Sequence, residues 1–210
     1  GAALGQLKDL RQLSELRCYK TALNDAGITG IGQLTKLVQL VIDGHREITD
    51  VSLPHLQPLK SLASLFVGGN GMTAQSLATL KLPNLTNISF NKLDQQVMRE
   101  TAPVLASAFP KIIEIDITYD VATPEDLASL GKFPKLNYIE SWGDISEAAM
   151  AGLSACGTLL RFRSPSTQKL TDGHLRGLAG CASLEEISIA NSEITDAGLL
   201  MLVPMKKLKF

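Results

Sequence analysis

Short alternating apolar pairs recur along this chain at nearly constant intervals, and that regularity excludes most folds at once. The pairs are Leu16/Cys18, Leu40/Ile42, Leu65/Val67, Ile88/Phe90, Ile115/Ile117, Ile139/Ser141, Phe162/Ser164 and Ile187/Ile189. Their first members lie 24, 25, 23, 27, 24, 23 and 25 residues apart. Alternation over a few residues is the period of a strand with one buried face. A strand of four residues cannot bury that face alone, whereas stacked copies share a continuous core. The expected fold is therefore α/β: right-handed coils, each a strand plus a helix or turn, stacked into a parallel sheet of about eight short strands. The unbroken spacing predicts one elongated domain over residues 1–210, about eight repeats of 23–27 residues, without a linker and incomplete at both ends. Neither end reads as a polar capping module, which leaves end-to-end self-association, or cover by another chain, open.

A second apolar column precedes each pair. It runs Ile28, Ile31, Leu34, Leu37; Leu53, Leu56, Leu59, Leu62; Leu127, Leu130, Phe133, Leu136; and Met150, Leu153, Cys156, Leu159. Spacing of three predicts a short helix unwinding into 3₁₀ or extended chain. Pro54 and Pro58 reinforce this in their repeat, since proline past the first turn removes a helical hydrogen bond. With 45% apolar residues but 5% aromatic, the shared core has to be aliphatic. Four residues before each column stands a capping residue: Asn24, Thr49, Thr73, Asp94, Thr123, Ser146, Thr171 and Thr195. Each has a side-chain oxygen able to accept from an orphan N–H of the first turn. Pro124 follows Thr123 where proline is best tolerated. A mostly polar column, Thr21, His45, Asn70, Asp120, Asp144, Thr167 and Ser192, is expected to bond the backbone of adjoining loops. The fourth repeat departs: Leu93 falls in that column, and residues 95–109, with Pro103, are expected to form an enlarged, kinked helix.

The phrase Ile194-Thr195-Asp196-Ala197-Gly198-Leu199 has weaker copies beginning at Leu23, Ile48 and Leu170. Together with the L-x-x-L-x-L strand pattern, it resembles leucine-rich-repeat proteins over essentially all 210 residues. The phrase is similar to the bacterial I-T-D-A-G-L repeats of that type and to the cysteine-containing subclass found in F-box proteins. The resemblance implies a solenoid with a concave parallel sheet and a convex back of helices or turns. It also implies protein–protein recognition by the concave face, occasionally with peptides or small ligands. The sequence lacks an F-box, and Thr, Asn, Asp or Ser replaces the subclass's recurrent cysteine, so a ubiquitin-ligase adaptor role is not implied.

Strand alternation sends every second side chain outward. The outward triplets include Glu15, Arg17, Tyr19; Gln39, Val41, Asp43; Ser64, Phe66, Gly68; and Glu186, Ser188, Ala190. Three neighbouring strands stand apart. Glu114, Asp116 and Glu140 form an acidic group beside Tyr138 and the single tryptophan, Trp142, with Arg161 and Arg163 bordering it. Tyr, Trp and Arg dominate interface hot spots. The expected partner-binding residues are Asp116, Tyr138, Glu140, Trp142, Arg161 and Arg163. The plainer alternative is that Arg163 pairs with Glu140 across the sheet, worth up to about 1 kcal/mol. Tyr19 and Phe66 make a weaker second patch.

Other function classes fit poorly. Net charge is −1, from 20 basic and 21 acidic residues without a long like-charge run, which argues against nucleic acid as the main partner. No apolar run approaches the roughly 18 residues that suggest a membrane span. His45, His55 and His174 fall in separate repeats or faces and form no catalytic set. Asp116 and Glu140 are neighbouring carboxylates, but an open sheet does not exclude water from them, so no enzyme is expected. Gly68-Gly69-Asn70-Gly71 lacks the Lys-Ser/Thr of a phosphate loop. No metal or cofactor is expected: the three cysteines lack ligand spacing. Cys156 and Cys181 share a column in consecutive repeats, where buried free thiols are favoured over a disulfide. That leans weakly towards a reducing compartment, with secretion after signal removal still open. The expected role is an interaction scaffold for a protein or peptide; the alternative is a spacer within a longer array.

Overall fold

The structure, a computed structural model, describes residues 10, 12–69, 71–91, 98–117, 122–165, 169–190 and 192–209. The expected cap Asp94 and the loop residues Asn70, Leu93, Asp120 and Thr167 lie outside that set. The chain divides into two compact units, Gly1–Val97 with Val104–Lys111, and Met98–Pro103 with Ile112–Phe210.

Unit one holds four parallel strands, β1 (Glu15–Tyr19), β2 (Gln39–Asp43), β3 (Ser64–Gly68) and β4 (Asn87–Asn91). They lie side by side in chain order, with Leu16, Leu40, Leu65 and Ile88 level across the sheet. Unit two repeats this with β5 (Glu114–Ile117), β6 (Tyr138–Ser141), β7 (Arg161–Ser164) and β8 (Glu186–Ile189), where Ile115, Ile139, Phe162 and Ile187 are level. Each is the α/β leucine-rich-repeat arrangement. The register follows from the period: a slip of one residue would turn every apolar pair outward.

The segments between strands are short helices: α1 (Asp25–Ile31), α2 (Ala74–Leu77), α4 (Pro124–Ser129), α5 (Glu147–Met150), α6 (Asp172–Leu178) and α7 (Asp196–Leu200). Asp50–Leu56, with Pro54 inside, is 3₁₀ throughout, and α4 and α5 run on into 3₁₀ turns. The columns of three behave as expected. Ile28 to Leu37, Leu53 to Leu62, Leu127 to Leu136 and Met150 to Leu159 are buried at every third residue, between 0% and 4% exposed. Each such side chain contributes about 1.5–3 kcal/mol relative to an exposed one. The helix α3 (Met98–Ala108) passes unbroken through Pro103. Arg99 and Pro103 are both exposed, so water can take the carbonyl that the missing amide leaves.

Polar groups join coil to coil as regularly as the leucines do. Asp25 accepts from the Thr49 amide and hydroxyl, both at 2.8 Å. Asp50 takes the Thr73 amide at 2.7 Å and its hydroxyl at 2.9 Å. Asp172 takes the Thr195 amide at 2.8 Å and hydroxyl at 2.6 Å, and Glu147 accepts from the Thr171 hydroxyl. Each of these threonines is also the N-cap of its own helix. The Thr-Asp step is thus plug and socket: threonine docks on the coil before, and the carboxylate receives the coil after. At Thr123 the carboxylate comes from Asp126 within the same helix, closing a capping box. The buried His45 ring spans the Thr21 and Cys18 carbonyls at 2.9 and 3.0 Å. His174 accepts the Thr171 amide and reaches the Ile145 carbonyl at 2.8 Å. Both rings tie coils together. Cys18, Cys156 and Cys181 are free thiols; burial pushes Cys156 up to about 12 and Cys181 to about 11, so neither is poised to react.

Two glycines mark the closest backbone approaches. A Cβ on Gly32 would sit 1.9 Å from the His55 carbonyl oxygen, and one on Gly152 2.0 Å from that of Pro124, whereas one on Gly157 would meet nothing within 4 Å. Gly32→Ala and Gly152→Ala are expected to lose about 2–3 kcal/mol in denaturant melts, with Gly157→Ala within about 0.5 kcal/mol of wild type. Equal effects at all three positions would contradict this packing.

The carboxylate link makes a second expectation. Burial alone would raise the Asp25 carboxyl, but the Thr49 amide and hydroxyl, Ser52 and His55 outweigh it and hold the group below its ordinary value. A depressed folded value means stability that is present above about pH 4 and lost as pH falls through it. Asp25→Ala leaves the Thr49 amide without its acceptor, for an expected loss of about 1–2 kcal/mol at pH 7. The gap to wild type should close in acid; a gap unchanged at pH 2.5 would refute the assignment.

Candidate functional site

Parallel pairing in unit two sets the outward side chains of β5 to β8 in two rows. One row runs Glu114, Tyr138, Arg161, Glu186; the other runs Asp116, Glu140, Arg163, Ser188. Adjacent strands lie about 4.8 Å apart, so neighbours within a row are in reach of one another. Their alternation with Ile115, Ile117, Ile139 and Phe162, all buried, keeps these polar side chains on the outer face. Trp142 follows β6 on the same face. Its amide donates to the Ile117 carbonyl at 2.7 Å, while the residue remains 54% exposed.

The rows are wired together. The Arg161 guanidinium lies over the Tyr138 ring, 4.6 Å from its centre. The Tyr138 hydroxyl donates to Glu140 Oε2 at 2.8 Å. Burial first, and then that bond, raise the tyrosine above its ordinary value, so it stays a donor. Arg163 Nη1 stands 3.6 Å from Glu140 Oε1, which is the cross-sheet pairing read from the sequence. The arginine is 50% exposed and the glutamate 12%, so this long, half-solvated pair contributes at most about 1 kcal/mol. Arg163 also hydrogen-bonds the Tyr138 hydroxyl. Arg161, Arg163 and Tyr138, with Phe162, Glu186 and Ser188, line an open depression of about 320 Å³. Glu186 and Ser188, outward in sequence but outside the six expected contact residues, join this face through their register with Arg161 and Arg163.

Asp116 differs from its neighbours. Its Oδ1 is buried and has no hydrogen-bond partner among the described residues. Burial, then the charges of Glu114 and Glu140, push its carboxyl from an ordinary 3.8 up to about 7.

Not every outward position is open. Val41 and Ser89 are buried on the outer face of unit one, because Phe66 stands level with both and Arg17 flanks Val41. Tyr19 is 56% exposed, but the intervening strand carries only Val41 and Asp43 between it and Phe66. Among the described residues, no group of three His, Cys, Asp or Glu is arranged to hold a metal ion, and no helix is long and apolar enough to cross a membrane.

A raised folded value gives the opposite sign from Asp25. The folded state holds an extra proton between about pH 4 and 7, so stability from this group is greatest in acid and lost as pH rises to 7. The displacement is worth up to about 4 kcal/mol, and partial solvent access reduces it to on the order of 2. Asp116→Asn should therefore gain on wild type from pH 4 to pH 8 in urea melts. A constant difference across that range would refute the burial of an ionisable Asp116.

No protein-family model matches the sequence, and no curated protein matches it. Among solved structures the chain is similar to an internalin from Listeria monocytogenes, with 17% identity, a TM-score of 0.45, and a match covering 98% of this chain and 68% of that one. The leucine-rich-repeat character of this chain lies in its own strand register and its stacked apolar columns.

Proposed function

We propose that this chain is a protein-recognition module that holds a protein or peptide on the outer face of the unit-two sheet. Asp116, Tyr138, Glu140, Trp142, Arg161 and Arg163 form the contact. The observation that carries the reading is Trp142, 54% exposed just past the end of the strand that begins with Tyr138, whose ring carries the Arg161 guanidinium. A large indole left in water contributes little to folding, whereas Trp, Tyr and Arg side chains supply much of the binding energy at interfaces. The same face holds its polar groups on strands rather than loops, so binding meets a surface already ordered. Catalysis receives no comparable support: His45 and His174 are committed to backbone contacts between coils.

The spacer alternative differs in one measurable respect. The chain and a Trp142→Ala/Arg163→Ala variant, each immobilised, are offered an extract of the source cell. Recognition predicts a captured protein whose retention falls at least tenfold in the variant, with circular dichroism and melting unchanged. Equal capture by both chains, or none by either, would favour the spacer.

A further inference from the structure

The turns that lead into β2, β3, β4 and β5 carry charge of one sign only. Residues 32–38, 57–63, 78–86 and 107–113 contain four lysines, Lys36, Lys60, Lys81 and Lys111, and no aspartate or glutamate. All four belong to unit one and are exposed. They fall 24, 21 and 30 residues apart, so the chain shows no like-charge run, and only the stacking of coils brings them to one edge. Three of the ammonium groups meet at the turn before β4. Lys60 Nζ donates to the Lys81 carbonyl at 2.7 Å, Lys111 Nζ donates to the Pro83 carbonyl at 2.8 Å, and Lys81 adds its own charge. Among the described residues none of the four lysines forms an ion pair with a carboxylate. The turn itself is tied down: the Lys81 amide donates to Gln57 Oε1 at 3.0 Å, and the Asn84 side chain donates to the Lys60 carbonyl at 2.9 Å. It also walls an open depression of about 630 Å³, whose lining includes Lys60, Thr79, Leu80, Lys81, Pro83 and Ala108.

Bridging one coil to the next does not require this charge. At the turn before β7, Thr158 makes the same step with a hydroxyl donated to the Leu136 carbonyl. At the turn before β8, Glu185 meets Lys209 as a carboxylate. In unit one the ammonium groups converge on neutral carbonyls instead, and their summed field favours an anion beside them. Lysine is a flexible point charge, suited to a row of separate anions, whereas the arginine fork suits one planar carboxylate. The only aromatic residue in these turns, Phe109, is buried, so the edge offers no ring on which bases could stack. Lys60 and Lys111 hold their charges down against the turn, beside a depression, which suits a narrow chain better than a flat lipid surface. We propose that this edge of unit one binds an acidic segment of a partner protein, extended across the coils. Its Asp or Glu side chains meet Lys60, Lys81 and Lys111 in turn, and Lys36 lengthens the row. Four coils at about 4.8 Å span roughly 15 Å, the reach of about five extended residues. The surface is separate from the contact on unit two and goes beyond that reading without resting on it.

The test titrates the full chain, in low salt, against four probes: a fluorescent peptide of alternating Glu and Ser, its Lys-Ser counterpart, a single-stranded oligonucleotide and phosphatidylserine vesicles. The Glu-Ser peptide should bind at least tenfold more tightly than any other probe, and should weaken as added salt screens exposed charges. Lys60→Gln/Lys81→Gln/Lys111→Gln should weaken it at least tenfold. Because that variant also removes two bonds to carbonyls, Lys81→Glu gives a second readout. The Lys81 ammonium makes no bond to another described residue, so this change should leave melting unchanged while weakening the peptide at least fivefold. Lys20→Gln and Trp142→Ala/Arg163→Ala should bind as wild type does. An oligonucleotide or vesicles held as tightly as the Glu-Ser peptide would overturn the acidic-segment claim. So would peptide binding indifferent to Lys81→Glu, or no binding of any probe. Binding lost in Trp142→Ala/Arg163→Ala and kept in the lysine variants would move the acidic segment to unit two, overturning this site and leaving recognition standing.

Discussion

A coil of two dozen residues makes one strand with one apolar face and one helical turn with another, and neither face can be covered from within the coil. Leu40 and Ile42 on β2, or Leu53 and Leu56 on the turn after it, are fully buried only because neighbouring coils lie against them. That shared burial sets the strand order, the register and the repeat length together. Adding or removing one residue would displace the next leucine from its column. The low aromatic content belongs to the same constraint, since a spine of stacked leucines and isoleucines leaves little room for larger rings. Phe90, Phe109, Phe133 and Phe162 are large exceptions that fit with no more than 3% exposure.

Apolar stacking is indifferent to small slips, and the polar links are not. The carboxylates of Asp25, Asp50 and Asp172 each take two hydrogen bonds from a threonine one coil ahead. Two bonds from one residue to one carboxylate fix distance and orientation, as side-by-side leucines cannot. Three letters of the repeated phrase therefore have a reason: threonine caps its own helix and docks backwards, aspartate receives the next coil, and glycine leaves room. At Gly198 a Cβ would stand 2.1 Å from Asp172 Oδ1. Where Pro124 takes the aspartate position, the sequence itself marks the missing link.

The outer face of unit two is free of these duties, and it is there that charge is imperfectly matched. Glu140 draws on Tyr138 and Arg163, while Asp116 is held close to two carboxylates by the strand spacing. Folding tolerates this because the buried columns supply far more stabilisation than one carboxyl removes. A mismatch maintained beside an exposed indole is the physical ground for reading the face as a contact surface.

Much of this was legible in the chain alone, and the limit is physical. Alternation at Ile139/Ser141, the threefold column from Leu127 to Leu136 and the caps from Asn24 to Thr195 are local signals, each set by the geometry of a strand, a 3₁₀ turn or a helix end. They determined the coil, its period and which side chains face outward, and therefore that Glu114, Asp116, Tyr138, Glu140, Trp142, Arg161 and Arg163 share a region. Burial of Val41 on the outer face, the 4.6 Å stack of Arg161 on Tyr138, the 3.6 Å reach of Arg163 and the buried oxygen of Asp116 were decided only by the tertiary structure. Each depends on side chains about 24 residues away that arrive by stacking. A periodic sequence states that neighbours will meet; only their packing determines how closely, and so what charge they carry.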